Sequence, residues 1–165
     1  MDTSTTRAFA ILAPVPENHL ITGLDAIAQQ LDATPPQTPP VVAYGSDAFE
    51  VFGKADQLRQ QAPVEIYFYA SHAKEQPLNH QVTWRATYIG HVHSRRGRYP
   101  GSALHRPAST QNDAPTWAIF WRIQDLEKLD TPIPIANFRA LEKKTNLTAR
   151  FIPEGPMLVA LPVKA

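Results

Sequence analysis

An α+β fold is predicted, with helices inserted between short strands that form a barrel or a strongly curved sheet. Three observations point to it. β-Branched and aromatic runs recur along the chain, at Phe9 to Ala13, Val64 to Ser71, Gln81 to Ser94 and Trp117 to Ile123, and such side chains suit a pleated, half-buried surface. From Glu17 onward Leu20, Leu24, Ile27, Ala28 and Leu31 repeat at the spacing of one helical face. Sixteen prolines against seven glycines make the connections stiff. With 165 residues, 43% of them hydrophobic and 19% charged, the chain has the size of a single domain over residues 1–165 that buries most of its apolar surface.

Each element has a local reason. Pro14 and Pro16 end the first strand, because proline has no N–H to give a ladder. Pro16 also stands where the first turn of a helix tolerates a missing donor, so an amphipathic helix begins at Glu17. Prolines 35, 36, 39 and 40 turn Thr34 to Pro40 into an extended connector. Val41 to Tyr44 is a brief strand. Asp47 then caps a second helix, with Glu50 completing a capping box, and that helix runs to about Gln61. Val64 to Ser71 is the next strand. In the strand Gln81 to Ser94, alternation puts Val82, Trp84, Ala86, Tyr88, Gly90, Val92 and Ser94 on one face and Thr83, Arg85, Thr87, Ile89, His91 and His93 on the other. Gly90 is the place for so long a strand to bend. Ser94 to Pro115 is a long loop holding Arg95, Arg96, Arg98, His105 and Arg106 with no acid before Asp113, and loops of this length are often functional. Trp117 to Ile123 is a strand, Asp125 to Asp130 a short helical turn, and Ile135 to Lys144 a helix that turns Phe138 and Leu141 inward. Leu147 to Ile152 and Met157 to Val163 close the chain as a hairpin across Pro153, Glu154 and Gly155.

Several function classes drop out on composition. The net charge of +1 exerts no global pull on polyanions, so attraction to nucleic acid must come from local clusters of arginine. Without cysteine there is neither a disulfide framework nor a thiolate zinc site. No apolar run is long enough to cross a bilayer, and Met1 to Arg7 lacks the basic and apolar regions of a signal peptide, so a cytoplasmic location is expected. Gly-rich phosphate cradles, Gly-x-Ser-x-Gly elbows and His-Glu-x-x-His motifs are lacking. No catalytic residue, resident metal or cofactor is therefore assigned.

Taken in order, several segments resemble the EVE family of the PUA-like superfamily over nearly the whole chain. They are Arg7-Ala8-Phe9-Ala10-Ile11-Leu12-Ala13-Pro14-Val15-Pro16, then Ile66-Tyr67-Phe68-Tyr69-Ala70-Ser71-His72, Thr87-Tyr88-Ile89-Gly90-His91-Val92, Arg98-Tyr99-Pro100, Thr131-Pro132-Ile133-Pro134-Ile135 and the final strand from Met157. The aromatic pair and lysine usual at the family's opening strand are not in this sequence. The resemblance implies a PUA-like β-barrel of five to six strands whose pocket, beside Val64 to Ser71, holds one nucleobase, commonly a modified one, flipped from DNA or RNA. Its partner is then nucleic acid, with no membrane and no cofactor. A flipped base loses a few kcal/mol of stacking, which aromatic faces return at about 1–3 kcal/mol per base. Tyr69, Trp84, Trp117 and Trp121 are the stacking candidates, Ser71 and His72 the groups that read base edges, and Arg95, Arg96, Arg98 and Arg106 the phosphate contacts.

An enzyme is the rival reading. His91 and His93 alternate on one strand and serve as a proton-transfer pair, with His72, in a small metal-independent ribonuclease or nucleotide hydrolase. The same pair chelates a metal if His72, His80 or a carboxylate supplies a third ligand. In a third reading, the proline-rich connector or the basic loop docks another protein.

Overall fold

A computed structural model describes residues 8–71, 80–110 and 116–161. Its elements are β1 (Ala10–Pro16), α1 (Glu17–Asp32), β2 (Val42–Ser46), α2 (Phe49–Arg59), β3 (Val64–Ser71), β4 (Gln81–His93), β5 (Ile119–Pro134) and β6 (Met157–Val159). The strands form one mixed sheet in the order β2-β5-β4-β3-β1-β6. β1 and β3 run parallel, as the intervening helices require, and the other neighbours are antiparallel. Among the described residues the ladder ends at β2 and at β6, so the expected closed barrel is corrected to an open, curled sheet.

The curl follows from β4 and β5. Their pairing slips register between Val82 and Trp84, between Arg85 and Thr87, and between Tyr88 and Gly90, and each slip bends the strand and adds twist. Gly90 takes φ +125°, which residues with a Cβ avoid. One core fills the concave side with Ile11, Leu20, Tyr44, Phe52, Ile66, Trp84, Tyr88 and Trp121. Fully burying a large apolar side chain of this kind is worth about 1.5–3 kcal/mol. A second cluster, with Leu12, Tyr67, Tyr69, Val82, Ile135, Phe138 and Val159, lies on the opposite face.

Four local expectations are corrected. The cap of α2 is Ala48, without a side-chain hydrogen bond; Asp47 Oδ1 instead accepts from Ala118 N at 2.9 Å, tying the helix entry to the start of β5. Asp125 to Asp130 belongs to strand β5 rather than to a helical turn. Leu126 and Leu129, three apart, look like a helical pair, but in a strand that spacing sends Leu126 to the concave core and Leu129 to the other cluster. Only Ile135–Asn137 is helical in the stretch to Lys144, as one 3-10 turn. Phe138 is still fully buried there, and Leu141 packs against the core. Finally, Leu147 to Ile152 is not a strand. β6 pairs with β1 and bridges Ala140 on its other side, while the residues after 161 fall outside the described set.

Among the described residues no helix is long and apolar enough to cross a membrane.

Candidate functional site

The curl brings the two halves of the sheet face to face. β6 covers β1 only as far as Leu12, and past that point the edge of β1 approaches β2 without pairing to it. The gap is a cleft of about 240 Å³ lined by Ala13 to Pro16 of β1, His19 of α1, Tyr44 to Ser46 of β2, Thr110, Trp117, Trp121 and Pro156. That is somewhat below the about 300–1,000 Å³ of drug-sized sites, and suits one planar ring system.

The cleft walls are aromatic. Tyr44 and Trp121 lie across a β2–β5 pair with ring centroids 5.0 Å apart. Trp121 is stacked in turn on Phe52, at 5.4 Å and 16°. Trp117 lies over Gly45, where a Cβ would come within 2.2 Å of its indole ring, so only glycine lets that ring settle on β2. Burial pushes the Tyr44 phenol above its ordinary pKa; it remains a donor and gives its proton to His19 O at 2.8 Å.

Polar groups stand behind these rings. Thr22 Oγ1 lies 3.0 Å from Asn18 O and shares a 2.7 Å hydrogen bond with Ser109 Oγ. Ser109 Oγ also lies 2.7 Å from His19 Nδ1 and 3.5 Å from Asn18 O.

The basic loop is ordered by its own hydrogen bonds. Arg95 and Arg98 exchange backbone bonds of 2.8 and 3.0 Å around Arg96 and Gly97, both with positive φ, which is the tight hairpin turn whose twist suits flanking strands. Arg95, Arg96 and Arg98 are exposed. Trp117 N donates to Gly97 O at 3.1 Å, so the arginine turn is fastened directly to one wall of the cleft. Downstream, 3-10 turns at Ala103–His105 and Ala108–Thr110 lean on α1. Tyr99 and His105 share a 2.6 Å hydrogen bond. Burial raises the Tyr99 pKa and lowers that of His105, and for both Arg122 acts as a second, lowering influence.

The predicted site residues separate on this geometry. Trp117 lines the cleft, and Trp121 lines it from within the core, at 4% exposure and stacked on Phe52 and Phe68. Ser71 pairs with Pro16 at its rim. Tyr69 packs in the opposite cluster. Trp84 is 2% exposed and gives its Nε1–H to Glu17 at 3.3 Å. The aromatic cleft lies beside β1 and β2, while a separate, more polar hollow of about 290 Å³ is lined by Glu65 and Tyr67 of β3 with Arg85, Thr87, Asp125 and Glu127. Arg106 is turned inward: Nη1 donates to Ala43 O at 2.9 Å, and the guanidinium lies 4.9 Å over the Phe120 ring. His72 lies outside the described residues.

His91 and His93 are on the face opposite to the one that alternation predicts. The slip at Gly90 reverses parity, so they stand across from Trp121 and Ile119 on the concave side. His91 Nδ1 is 2.6 Å from Asp56 Oδ2. Asp56 Oδ1 accepts from Tyr88 Oη at 2.9 Å and from Arg59 Nε at 2.7 Å. Burial, and after it the Asp56 charge, raise the Tyr88 pKa, which keeps this phenol a donor. Among the described residues, no cluster of three or more His, Cys, Asp or Glu is placed to hold a metal ion.

Sequence reasoning misses Tyr44, His19, Pro14 and Pro16 as cleft residues. Their only sequence signal is structural, a strand end and a helix start, and it is the curl of the sheet that joins them.

No family model matches the chain, and no curated protein matches it. Among solved structures it is similar to the N-terminal domain of Staphylothermus marinus McrB, with 10% sequence identity, 81% of each chain covered and a TM-score of 0.39.

Proposed function

We propose that this chain is a nucleic-acid-binding domain of PUA-like, EVE type that takes one nucleobase, commonly a modified one, into the cleft between Tyr44, Trp117 and Trp121. The observation that carries the reading is the junction of two features: an aromatic cleft of base size, and an exposed arginine turn bonded through Gly97 to the Trp117 that walls it. Rings flank the base, and His19, which lines the cleft with them, lies at its edge. Arg95, Arg96 and Arg98 reach the flanking phosphates. Apolar walls favour a base that carries an added apolar group, since each buried methylene is worth about 0.8 kcal/mol.

Anisotropy titrations of labelled single-stranded DNA and RNA, with and without modified bases, test the reading. Trp117→Ala is expected to weaken binding by about 5- to 150-fold, corresponding to the loss of about 1–3 kcal/mol of stacking. Binding that is equally tight in this variant would remove the cleft from the proposal. The arginines give a different signature. Each of Arg95→Ala, Arg96→Ala and Arg98→Ala should lower the slope of log K against log salt by about 0.7 for a single strand, and weaken all sequences alike. A slope unchanged in the triple variant would leave the turn without a role in binding.

A further inference from the structure

We infer that His91 and His93 form an acid–base pair that cleaves the RNA strand whose base occupies the cleft, a step that builds on the nucleic-acid reading above. Four observations converge on it. Asp56 receives protons from Tyr88 and Arg59 on one oxygen, so its other oxygen, 2.6 Å from His91 Nδ1, accepts from that nitrogen. This fixes the proton of a neutral His91 on Nδ1 and leaves Nε2 basic, and the carboxylate stabilises the imidazolium that forms when Nε2 takes up a proton. The His93 ring lies 5.9 Å from that of His91 at 75° and is exposed, while 13% of the His91 side chain still reaches solvent. Among the described residues, none hydrogen-bonds to His91 Nε2 or to the His93 ring. The slip at Gly90 puts both rings on the cleft's side of the sheet, one strand from Trp121.

Such a pair needs no metal and no co-reactant. His91 Nε2 takes the proton of a ribose 2′-hydroxyl. The 2′-oxygen forms a bond to phosphorus, the bond from phosphorus to the 5′-oxygen breaks, and His93, in its imidazolium form, gives that leaving oxygen its proton. The exposed Arg95, two residues beyond His93, supplies positive charge for the phosphate. The products are a 2′,3′-cyclic phosphate and a free 5′-hydroxyl. Asp56 and Tyr88 act through His91 and are positioning residues.

The test incubates the full chain with a short single-stranded RNA at about pH 6, within the range where imidazoles exchange protons, and identifies the ends formed. Binding of the 2′-O-methyl version of the strand, which has no attacking hydroxyl, is measured in parallel. Expected are cyclic-phosphate ends from RNA, and none from DNA or 2′-O-methyl RNA. His93→Ala, at an exposed position, should lower the rate at saturating RNA about 100-fold or more, a far larger loss than any in binding. His91→Ala should do the same and recover in part with added imidazole. Asp56→Asn should slow cleavage, and Asp56→Glu should restore part of it. RNA that is bound but left intact overturns this inference alone, as does cleavage at an undiminished rate in His93→Ala. Neither binding nor cleavage overturns the nucleic-acid reading with it.

Discussion

Replacing Gln30 by alanine is expected to destabilise the protein by about 3–5 kcal/mol, since each buried polar group left unpaired costs about 1–3 kcal/mol. Gln30 lies on α1 with 0% exposure. Its Nε2 approaches Val41 O at 2.7 Å, Leu104 O at 3.0 Å and Ala26 O at 3.2 Å, and its Oε1 accepts from Val41 N at 2.9 Å. One amide thus joins the helix, the end of the proline connector and the loop that carries Arg106 and Ser109. Alanine removes the partner of the N–H of Val41 and of the Val41 and Leu104 carbonyls. Gln30→Glu is a sharper probe, because it sets an acidic oxygen among three carbonyl oxygens. Burial and those carbonyls would raise the folded-state pKa of the new carboxyl above the unfolded value of about 4.3. A raised folded pKa means that the stability of the variant is greatest below the unfolded pKa and falls as pH rises through the folded one. Urea unfolding at about pH 4 and about pH 8 reads this directly, with wild type as reference. A Gln30→Glu deficit that does not grow toward alkaline pH would mean that water reaches the site.

What the sequence makes legible, and what it hides, divides by range of interaction. β3, α1 and the long strand β4 follow from local pattern, because β-branched runs and helical spacing are written within a few residues of each other. Pro14 and Pro16 end the regular apolar run yet remain in β1, since that part of its edge faces the cleft and needs no N–H there. The histidines show why parity alone misleads. Gly90 is readable as a bend, but a bend that inserts one residue into the ladder exchanges the two faces, and the exchange depends on how β5 pairs with β4. The cleft is the least legible feature. Trp117 and Trp121 stand out as aromatics, but nothing near them in sequence places Pro14, His19 or Tyr44 opposite. Those residues meet because three register slips curl the sheet until its two halves face each other, with α1 across the seam. The arginine loop divides for a similar reason: Arg95, Arg96 and Arg98 lie on a solvated turn, whereas Arg106 finds a carbonyl of β2 and the face of Phe120.

Phe52 is the residue through which both proposed activities share one support. Its ring, 0% exposed, lies 5.4 Å from Trp121, 5.6 Å from Tyr88 and 6.4 Å from His91. It packs between a wall of the cleft and the histidine held by Asp56. Phe52→Ala is expected to cost about 3–5 kcal/mol, as other truncations of large core aromatics do, against a total stability of about 5–15 kcal/mol for a domain. Much of the protein's margin would be gone, and urea midpoints followed by circular dichroism should fall accordingly. Phe49→Ala, three residues earlier on the same helix but 54% exposed, is the matched control and should change stability by no more than about 0.5 kcal/mol. Under conditions where Phe52→Ala is still folded, the space left beside Trp121 and His91 lets both rings turn, so oligonucleotide binding and RNA cleavage should weaken together. Phe52→Leu, which keeps most of the volume, should recover both in part. Binding retained at full strength in a folded Phe52→Ala protein would mean that Trp121 is held by Tyr44 and Phe68 alone, and the coupling between cleft and histidine pair argued from this packing would fall.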